Sequence, residues 1–212
     1  MCNGHAINNM ETKCTFYSLT VFVLVSLFLQ ACIGTDTPSK QAGVSTESEQ
    51  KYGLESIYQT TAKWDNQHGD TLKLSQLSGK IPVLSMVFTR CTFSCPKTVA
   101  DLKAIEKKLP PDKKDKVIFV LISFDSDRDH TKELKAFSRE MQLSKNWMVL
   151  HGNPDDVREL SMLLDVKYKK QPNGDFTHSA GITVLNTEGA IATQSEGLGK
   201  DPNDIIKVIQ SL

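Results

Sequence analysis

A pair of cysteines separated by three residues, Cys91 and Cys95, stands between an apolar run at residues 81–88 and Pro96. An apolar run of this length is typical of a strand that is buried on both faces. Proline suits the first turn of a helix, because its missing N–H would have no partner there. The sequence therefore predicts a buried strand, a short loop with two thiols and a helix, which together are typical of α/β domains.

The position of the thiols predicts reactivity. The residue before a proline avoids the helical region, so both Cys91 and Cys95 are expected in the loop, with Cys95 near the helix N-cap. Unpaired N–H groups and the helix dipole favour thiolates there, and thiolates bind soft metal ions or exchange electrons with disulfides. An inert pair or a local structural disulfide is the alternative.

The spacing of the cysteines favours a metal ion. A spacer of two residues is typical of thioredoxin-type oxidoreductases, whereas the spacer of three residues here leaves room for a cation between the sulfurs. Thiolates select Cu(I), an added imidazole also suits Cu(II), and Zn(II) is the competing ion. A mononuclear site then needs a third ligand from elsewhere in the chain.

The N-terminal segment predicts export. Lys13 precedes an uncharged apolar stretch at residues 14–33, which contains Leu29-Gln30-Ala31-Cys32 and resembles a signal peptide with a bacterial lipobox. A retained transmembrane anchor is the alternative, because about 20 apolar residues can cross a bilayer. Translation could start at Met1 or at Met10, and the sequence around Met10 is more typical of a start.

This interpretation divides the chain into a lipoprotein signal peptide at residues 1–31, a flexible tether at residues 32–50 that begins with the lipidated Cys32, and one globular domain at residues 51–212. The domain would face the periplasm or extracytoplasmic space from a lipid anchor in the cell membrane. The sequence does not distinguish an anchor in the inner membrane from one in the outer membrane. The other three of the five cysteines lie in residues 1–32, so the domain keeps the spaced pair alone.

Composition argues against one broad class of function. Lys+Arg and Asp+Glu are balanced at 25 each, and the aromatic residues, at 7%, are scattered. Nucleic-acid binding needs a basic surface or a stacking platform, and the sequence predicts neither.

The remaining pattern predicts an α/β domain. We expect helices from Pro96 to residue 109 and at residues 131–141, 155–164 and 202–212, strands at 81–89, 117–124 and 147–150, a loop at 167–174 and a hairpin at 182–193. This order predicts a thioredoxin-like fold with a mixed central sheet, flanking helices and an N-terminal extension. Functional residues of open α/β sheets gather at the carboxyl ends of the strands, where Cys91 and Cys95 lie.

His178 is the histidine that this topology places opposite the cysteines. It precedes the hairpin strand, and in a thioredoxin-like topology that segment packs across from the active-site loop. A structural or solvated histidine is the alternative. The other four histidines lie in the leader or in polar and turn segments, namely His5, His68, His130 and His151.

Several spaced segments together resemble the SCO/SenC family over roughly residues 50–212, namely Gly79-Lys80, residues 88–96 with both cysteines, Ser123-Phe124-Asp125 with Asp129, residues 147–152, and His178-Ser179. Members are membrane-tethered, thioredoxin-fold proteins that bind copper and help to assemble the CuA centre of cytochrome c oxidase subunit II. The resemblance implies copper, as Cu(I) or Cu(II), with Cys91, Cys95 and His178 as its ligands.

Two departures from the family pattern leave these ligands intact. Thr177 stands before the histidine where the family often has Asp, and Ser126 follows Asp125 where the family has Pro. Hydrogen bonding around the imidazole is therefore expected to differ. Asp125 and Asp129 are expected to be turn or helix-capping residues and not ligands.

Two functions use the same sulfurs. A copper chaperone would pass Cu(I) to cytochrome c oxidase subunit II by ligand exchange, with a periplasmic copper donor or thiol oxidoreductase as a further partner. A thiol–disulfide oxidoreductase would keep the partner's cysteines reduced, with Cys91 attacking and Cys95 resolving. Metal transfer makes no covalent bond in a substrate, so an enzyme is expected only in the second case. The sequence gives no support for a peroxidase function, and a redox-sensing function stays an open alternative.

Overall fold

A computed structural model describes residues 51–212 of the chain. The predicted signal peptide at 1–31, the lipidated Cys32 and the tether at 32–50 lie outside these residues and stay predictions. The transmembrane alternative at residues 14–33 also lies outside them. Within residues 51–212, the helices are all too short or too polar to span a bilayer.

Residues 51–212 form nine strands, four α-helices and two short 3-10 helices. The strands are β1 (Trp64–Asn66), β2 (Thr71–Leu72), β3 (Ile81–Val87), β4 (Val117–Ser123), β5 (Trp147–His151), β6 (Tyr168–Lys170), β7 (Phe176–His178), β8 (Gly181–Leu185) and β9 (Ile191–Glu196). The α-helices are α1 (Ser94–Lys108), α2 (Thr131–Glu140), α3 (Pro154–Leu163) and α4 (Pro202–Ser211). The 3-10 helices are Ile57–Gln59 and Leu74–Leu77.

Seven of the strands in this part of the chain form one mixed sheet in the order β2-β1-β5-β4-β3-β8-β9. The central strands β3, β4 and β5 are parallel, and the outer strands join antiparallel. Every residue of β3 is buried, which explains its continuous apolar sequence. Because Val87 pairs with Ser123 at the ends of β3 and β4, the loops that follow these strands are neighbours.

The helices bury apolar stripes against the sheet and against each other. Helix α1 packs against α4, and α2 packs against β1 and β5. The buried stripe of α1 has helical spacing, with Val99, Leu102 and Ile105 on one face. Burying each such aliphatic side chain contributes about 1.5–3 kcal/mol. This packing holds the start of α1, and with it Cys95, against the end of β3.

The predicted α/β class, with a mixed central sheet and flanking helices, is confirmed. The prediction of a loop at residues 167–174 is wrong, because β6 lies in this segment and pairs antiparallel with β7 in a separate two-stranded ribbon. Its Lys, Gln, Pro, Asn and Gly residues lack the apolar alternation of a strand. The short antiparallel pair β1 and β2 was also not predicted.

Candidate metal centre

Cys91, Cys95 and His178 come together at the carboxyl edge of the central strands. One ligand atom from each residue lies within 4.8 Å of the other two. Ligands that bind one ion at about 2.0–2.3 Å lie about 3–4.5 Å from each other, so small side-chain movements suffice to close the cluster around an ion. The structure thus brings together the three predicted site residues of the domain, from the loop before α1, from the first turn of α1 and from β7.

Cys95 lies in the first turn of α1, because this helix begins at Ser94. The expectation that both thiols lie in the loop is therefore wrong for Cys95. The first N–H groups of a helix have no intrahelical acceptor, so Pro96 removes no hydrogen bond at this position. The N–H of Cys95 instead donates to Sγ of Cys91 at 3.3 Å, which ties the loop thiol to the helix.

The two thiols have different environments. Both are free, and Cys91 is half-buried whereas Cys95 is buried. Burial raises the pKa of Cys91, but hydrogen bonds from the Ser94 side chain and from backbone N–H groups outweigh it, so the pKa lies below its ordinary value. Burial raises the pKa of Cys95 well above its ordinary value. Cys91 is therefore the thiol that meets a metal ion or a partner's disulfide first.

Hydrogen bonds orient the imidazole of His178. Its Nδ1 lies 3.0 Å from the carbonyl oxygen of Ser179. A carbonyl oxygen only accepts, so Nδ1 carries the proton and Nε2 of the neutral ring keeps a lone pair. Nε2 faces Oγ of Ser94 at 3.1 Å, and this hydroxyl lies 3.1 Å from Sγ of Cys91. The lone pair therefore points toward the thiols. Sequence reasoning missed Ser94, whose signal is its place between the two cysteines.

Aromatic packing holds the ribbon that carries His178. The imidazole lies against Phe124, with the ring centroids 4.9 Å apart, and its strand pairs it with Tyr168. Phe124 also contacts Phe88 and Phe176, at centroid distances of 5.4 Å and 5.0 Å. Such aromatic pairs contribute about 0.5–1.5 kcal/mol each beyond their burial. Because Phe88 and Phe124 follow β3 and β4, the cluster joins the ribbon to the edge that carries the cysteines.

The loop between β4 and α2, residues 124–130, also holds the ribbon. The guanidinium of Arg128 donates to the carboxylate of Asp125 and to the carbonyl oxygen of Gly174 in the ribbon turn. A glycine is favoured there, because φ is +85°, a backbone conformation that L side chains rarely adopt. Lys170 and Asp127 add an exposed ion pair at 2.7 Å.

Asp129 in the same loop holds the segment before Cys91. Its fully buried carboxylate accepts hydrogen bonds from the N–H and hydroxyl of Thr89, at 2.8 Å and 2.5 Å, and from the hydroxyl of Ser123 at 2.6 Å. Of the two expected roles, turn or helix cap, Asp129 has the first, since its N–H donates to the carbonyl oxygen of Asp125 at 2.9 Å and the N-cap of α2 is His130. The loop at residues 124–130 thus positions both the thiol loop and the histidine ribbon.

Comparison with known proteins gives the family. The chain matches the SCO1/SenC family over residues 54–212, which is most of its length. The chain belongs to the SCO1/SenC family. The resemblance seen in the sequence motifs is therefore confirmed.

Three solved structures of SCO proteins are similar to this chain. A SCO1/SenC family lipoprotein from Bacillus anthracis is 26% identical, with a TM-score of 0.66 over 77% of this chain and 96% of that chain. BsSco, a member of the Sco family of cytochrome c oxidase assembly proteins in which a disulfide switch was identified, is 27% identical, with a TM-score of 0.61 over 70% and 89%. Arabidopsis thaliana ScoI with copper bound is 21% identical, with a TM-score of 0.64 over 71% and 97%. The predicted thioredoxin-like fold is confirmed.

Proposed function

We propose that this SCO1/SenC protein is a copper chaperone that binds copper through Cys91, Cys95 and His178. The observation that carries the proposal is the convergence of two thiols and an oriented imidazole within 4.8 Å. Soft thiolates select Cu(I), and the imidazole also suits Cu(II). The copper bound in Arabidopsis ScoI supports the same metal for this chain.

The recipient in this proposal is cytochrome c oxidase subunit II, with copper delivered to its CuA centre. Membership of the SCO1/SenC family supports this partner, as does the place of BsSco among cytochrome c oxidase assembly proteins. Transfer proceeds by ligand exchange: a thiolate of the recipient adds to copper while a ligand of this chain leaves. The half-buried Cys91 and the partly exposed His178 are the ligands that a recipient can reach.

Membrane attachment through Cys32 is part of the same proposal. The lipobox sequence before Cys32 supports a lipid anchor, and the related Bacillus anthracis protein is a lipoprotein. The anchor would hold the copper site on the extracytoplasmic side, near the membrane that contains the oxidase. A periplasmic copper donor or a thiol oxidoreductase would meet the site there.

A thiol–disulfide oxidoreductase is the second candidate, and the contrast between the two thiols favours it. Cys91 is half-buried and Cys95 is buried behind it, as in an attacking and a resolving pair. Cys91 would attack a partner's disulfide and form a mixed disulfide. Cys95 would then attack Cys91, release the partner's two thiols and leave a Cys91–Cys95 disulfide. An external dithiol must supply the two electrons for the next cycle.

The substitution His178→Ala separates the two functions. We expect Cu(I) affinity to fall at least about tenfold, because an oriented ligand is lost, while the rate of disulfide exchange changes less than about twofold. The measurements are anaerobic competition with a Cu(I) chelator, and reduction of a disulfide-bonded peptide carrying the recipient's cysteines. Thr177→Ala, at the exposed neighbouring position, is the matched control and should change neither value. Wild-type Cu(I) affinity in His178→Ala would contradict the three-ligand site.

Phe93 provides a test of docking. It lies between the two cysteines, its side chain is 68% exposed, and Nζ of Lys97 lies 3.9 Å from its ring centroid. An exposed aromatic ring beside the ligands is suited to contact a recipient. We expect Phe93→Ala to keep Cu(I) affinity but to slow copper transfer to the recipient's CuA domain about tenfold. This is the effect expected when one anchor residue of an interface is lost. Met162→Ala, at a residue that is 69% exposed, is the control, and equal transfer rates in the two variants would exclude this contact.

A further inference from the structure

Two histidines outside the thiol site face each other at the same edge of the sheet. His151 is the last residue of β5, and His130 is the N-cap of α2. Their ring centroids are 5.6 Å apart and the rings are inclined at 80°. Because β4 lies between β5 and β3, His151 lies about two strand spacings, roughly 10 Å, from the end of β3 that leads to Cys91.

The separation of the two rings matches that of imidazoles on one metal ion. With metal–nitrogen bonds of about 2.0 Å, each ring centroid lies about 3 Å from the ion, and two rings at a tetrahedral angle have centroids about 5 Å apart. The observed 5.6 Å is close to this value. The separation of the rings is therefore compatible with two imidazoles on a shared ion.

Asp65 supplies a third ligand of suitable type. It pairs with His151 across β1 and β5, and its Oδ2 lies 3.7 Å from Nε2 of His151. Two ligands at about 2.0–2.1 Å from a tetrahedral ion are about 3.3 Å apart, so the gap suits ligands on one ion. The hydroxyl of Thr71 donates to Oδ1 of Asp65, which orients the carboxylate and leaves Oδ2 available.

Within residues 51–212, neither imidazole makes a hydrogen bond. The distance of 3.7 Å between His151 and Asp65 is too long for one, although the His151 side chain is only 15% exposed. A neutral imidazole without a hydrogen-bond partner keeps one ring nitrogen with a free lone pair, which can bind a metal ion. A bound cation shared with His130 and Asp65 would use the lone pair.

We propose that Asp65, His130 and His151 form a second metal site, for a divalent ion of borderline softness. Two imidazoles and a carboxylate suit Cu(II) and Zn(II), and the general order of affinities favours Cu(II). No thiolate takes part, so the site discriminates against Cu(I), which the cysteine site selects. The inference goes beyond the proposed chaperone function and does not depend on it.

The test uses the full chain with Cys91→Ser and Cys95→Ser, which removes the sulfur ligands. Cu(II) alone is added, and binding is measured by equilibrium dialysis and by electron paramagnetic resonance. We expect tight binding with hyperfine structure from two imidazole nitrogens. In this background, His151→Gln, His130→Gln and Asp65→Asn should each weaken that binding at least about tenfold. Zn(II) should compete for the same site.

His68→Gln in the same background is the matched control, because it makes the same change at an exposed histidine that belongs to neither site. It should leave the Cu(II) affinity and the nitrogen signal unchanged. Failure of the background variant to bind Cu(II), or binding that His151→Gln leaves unaltered, would overturn the proposal, as would an equal loss caused by His68→Gln. If His151→Gln fails to fold by circular dichroism, the exposed His130 gives the deciding variant.

Discussion

Replacing Cys95 by serine is expected to weaken Cu(I) binding by about a hundredfold or more. A structural metal site with four ligands has an apparent binding free energy of about 10–16 kcal/mol, which is about 3 kcal/mol for each ligand, and the substitution removes one ligand. A serine hydroxyl is a poor ligand for a soft ion. Cys95 is fully buried in the first turn of α1, and serine is close to it in size, so we expect the fold to persist. Anaerobic competition with a Cu(I) chelator measures the affinity of the reduced full chain.

Ser94→Ala is the matched control for Cys95→Ser. It changes the adjacent residue and removes the hydroxyl that lies 3.1 Å from both Cys91 and His178, but it removes no predicted ligand. We expect its Cu(I) affinity to stay within about tenfold of the wild type. This is the smallest loss that is typical when a group that orients metal ligands is removed. X-ray absorption should count one sulfur fewer in Cys95→Ser alone. A Cys95→Ser chain that binds Cu(I) as tightly as Ser94→Ala would remove Cys95 from the site.

Replacing Asp129 by alanine is expected to destabilise the domain by about 3–5 kcal/mol, because buried hydrogen-bonded partners of the carboxylate lose their acceptor. These partners are the N–H and hydroxyl of Thr89 and the hydroxyl of Ser123. Since Thr89 precedes Cys91 by two residues, the thiol loop should also lose its fixed position, and Cu(I) affinity should fall about 10–100-fold. Urea unfolding measures the first effect and chelator competition the second.

Asp127→Ala is the control for this substitution, since it removes a carboxylate from the same loop. Asp127 is exposed and pairs with Lys170 on the surface, so little change in stability or copper affinity is expected. Asp129→Asn keeps the shape and one acceptor oxygen, and it should lie between Asp129→Ala and the wild type. If Asp129→Ala and Asp127→Ala unfold at the same urea concentration, Asp129 does not position the thiol loop.

The central part of the fold could be predicted because its signals are local. The apolar sequence of β3 is continuous, and α1 has an apolar stripe of helical spacing. The ribbon of β6 and β7 could not be predicted in this way. Its strands are short and polar, and its stability comes from contacts of Phe176 and His178 with Phe88 and Phe124, which are far away in the sequence.

The candidate site was partly predictable for the same reason. The two cysteines lie close together in the sequence, and the expected topology placed His178 opposite them. The residues that position these side chains gave weaker signals. Asp129 is a common turn residue by type, and its hydrogen bonds to Thr89 cross from one loop to another. The tautomer of His178 depends on the Ser179 carbonyl, a backbone group that sequence does not distinguish.

The distance between the ligands along the chain determines how metal binding is linked to folding. Ser94 and His178 contact each other although they are 84 positions apart. An unfolded chain keeps the two nearby thiols as a weak metal chelate, whereas the histidine joins them only in the folded domain. Any affinity for the unfolded state subtracts from ligand-induced stabilisation. The rise in melting temperature with copper should therefore reflect only the part of the binding free energy that the native arrangement adds. The chain gains its full affinity for copper only when its last third has folded.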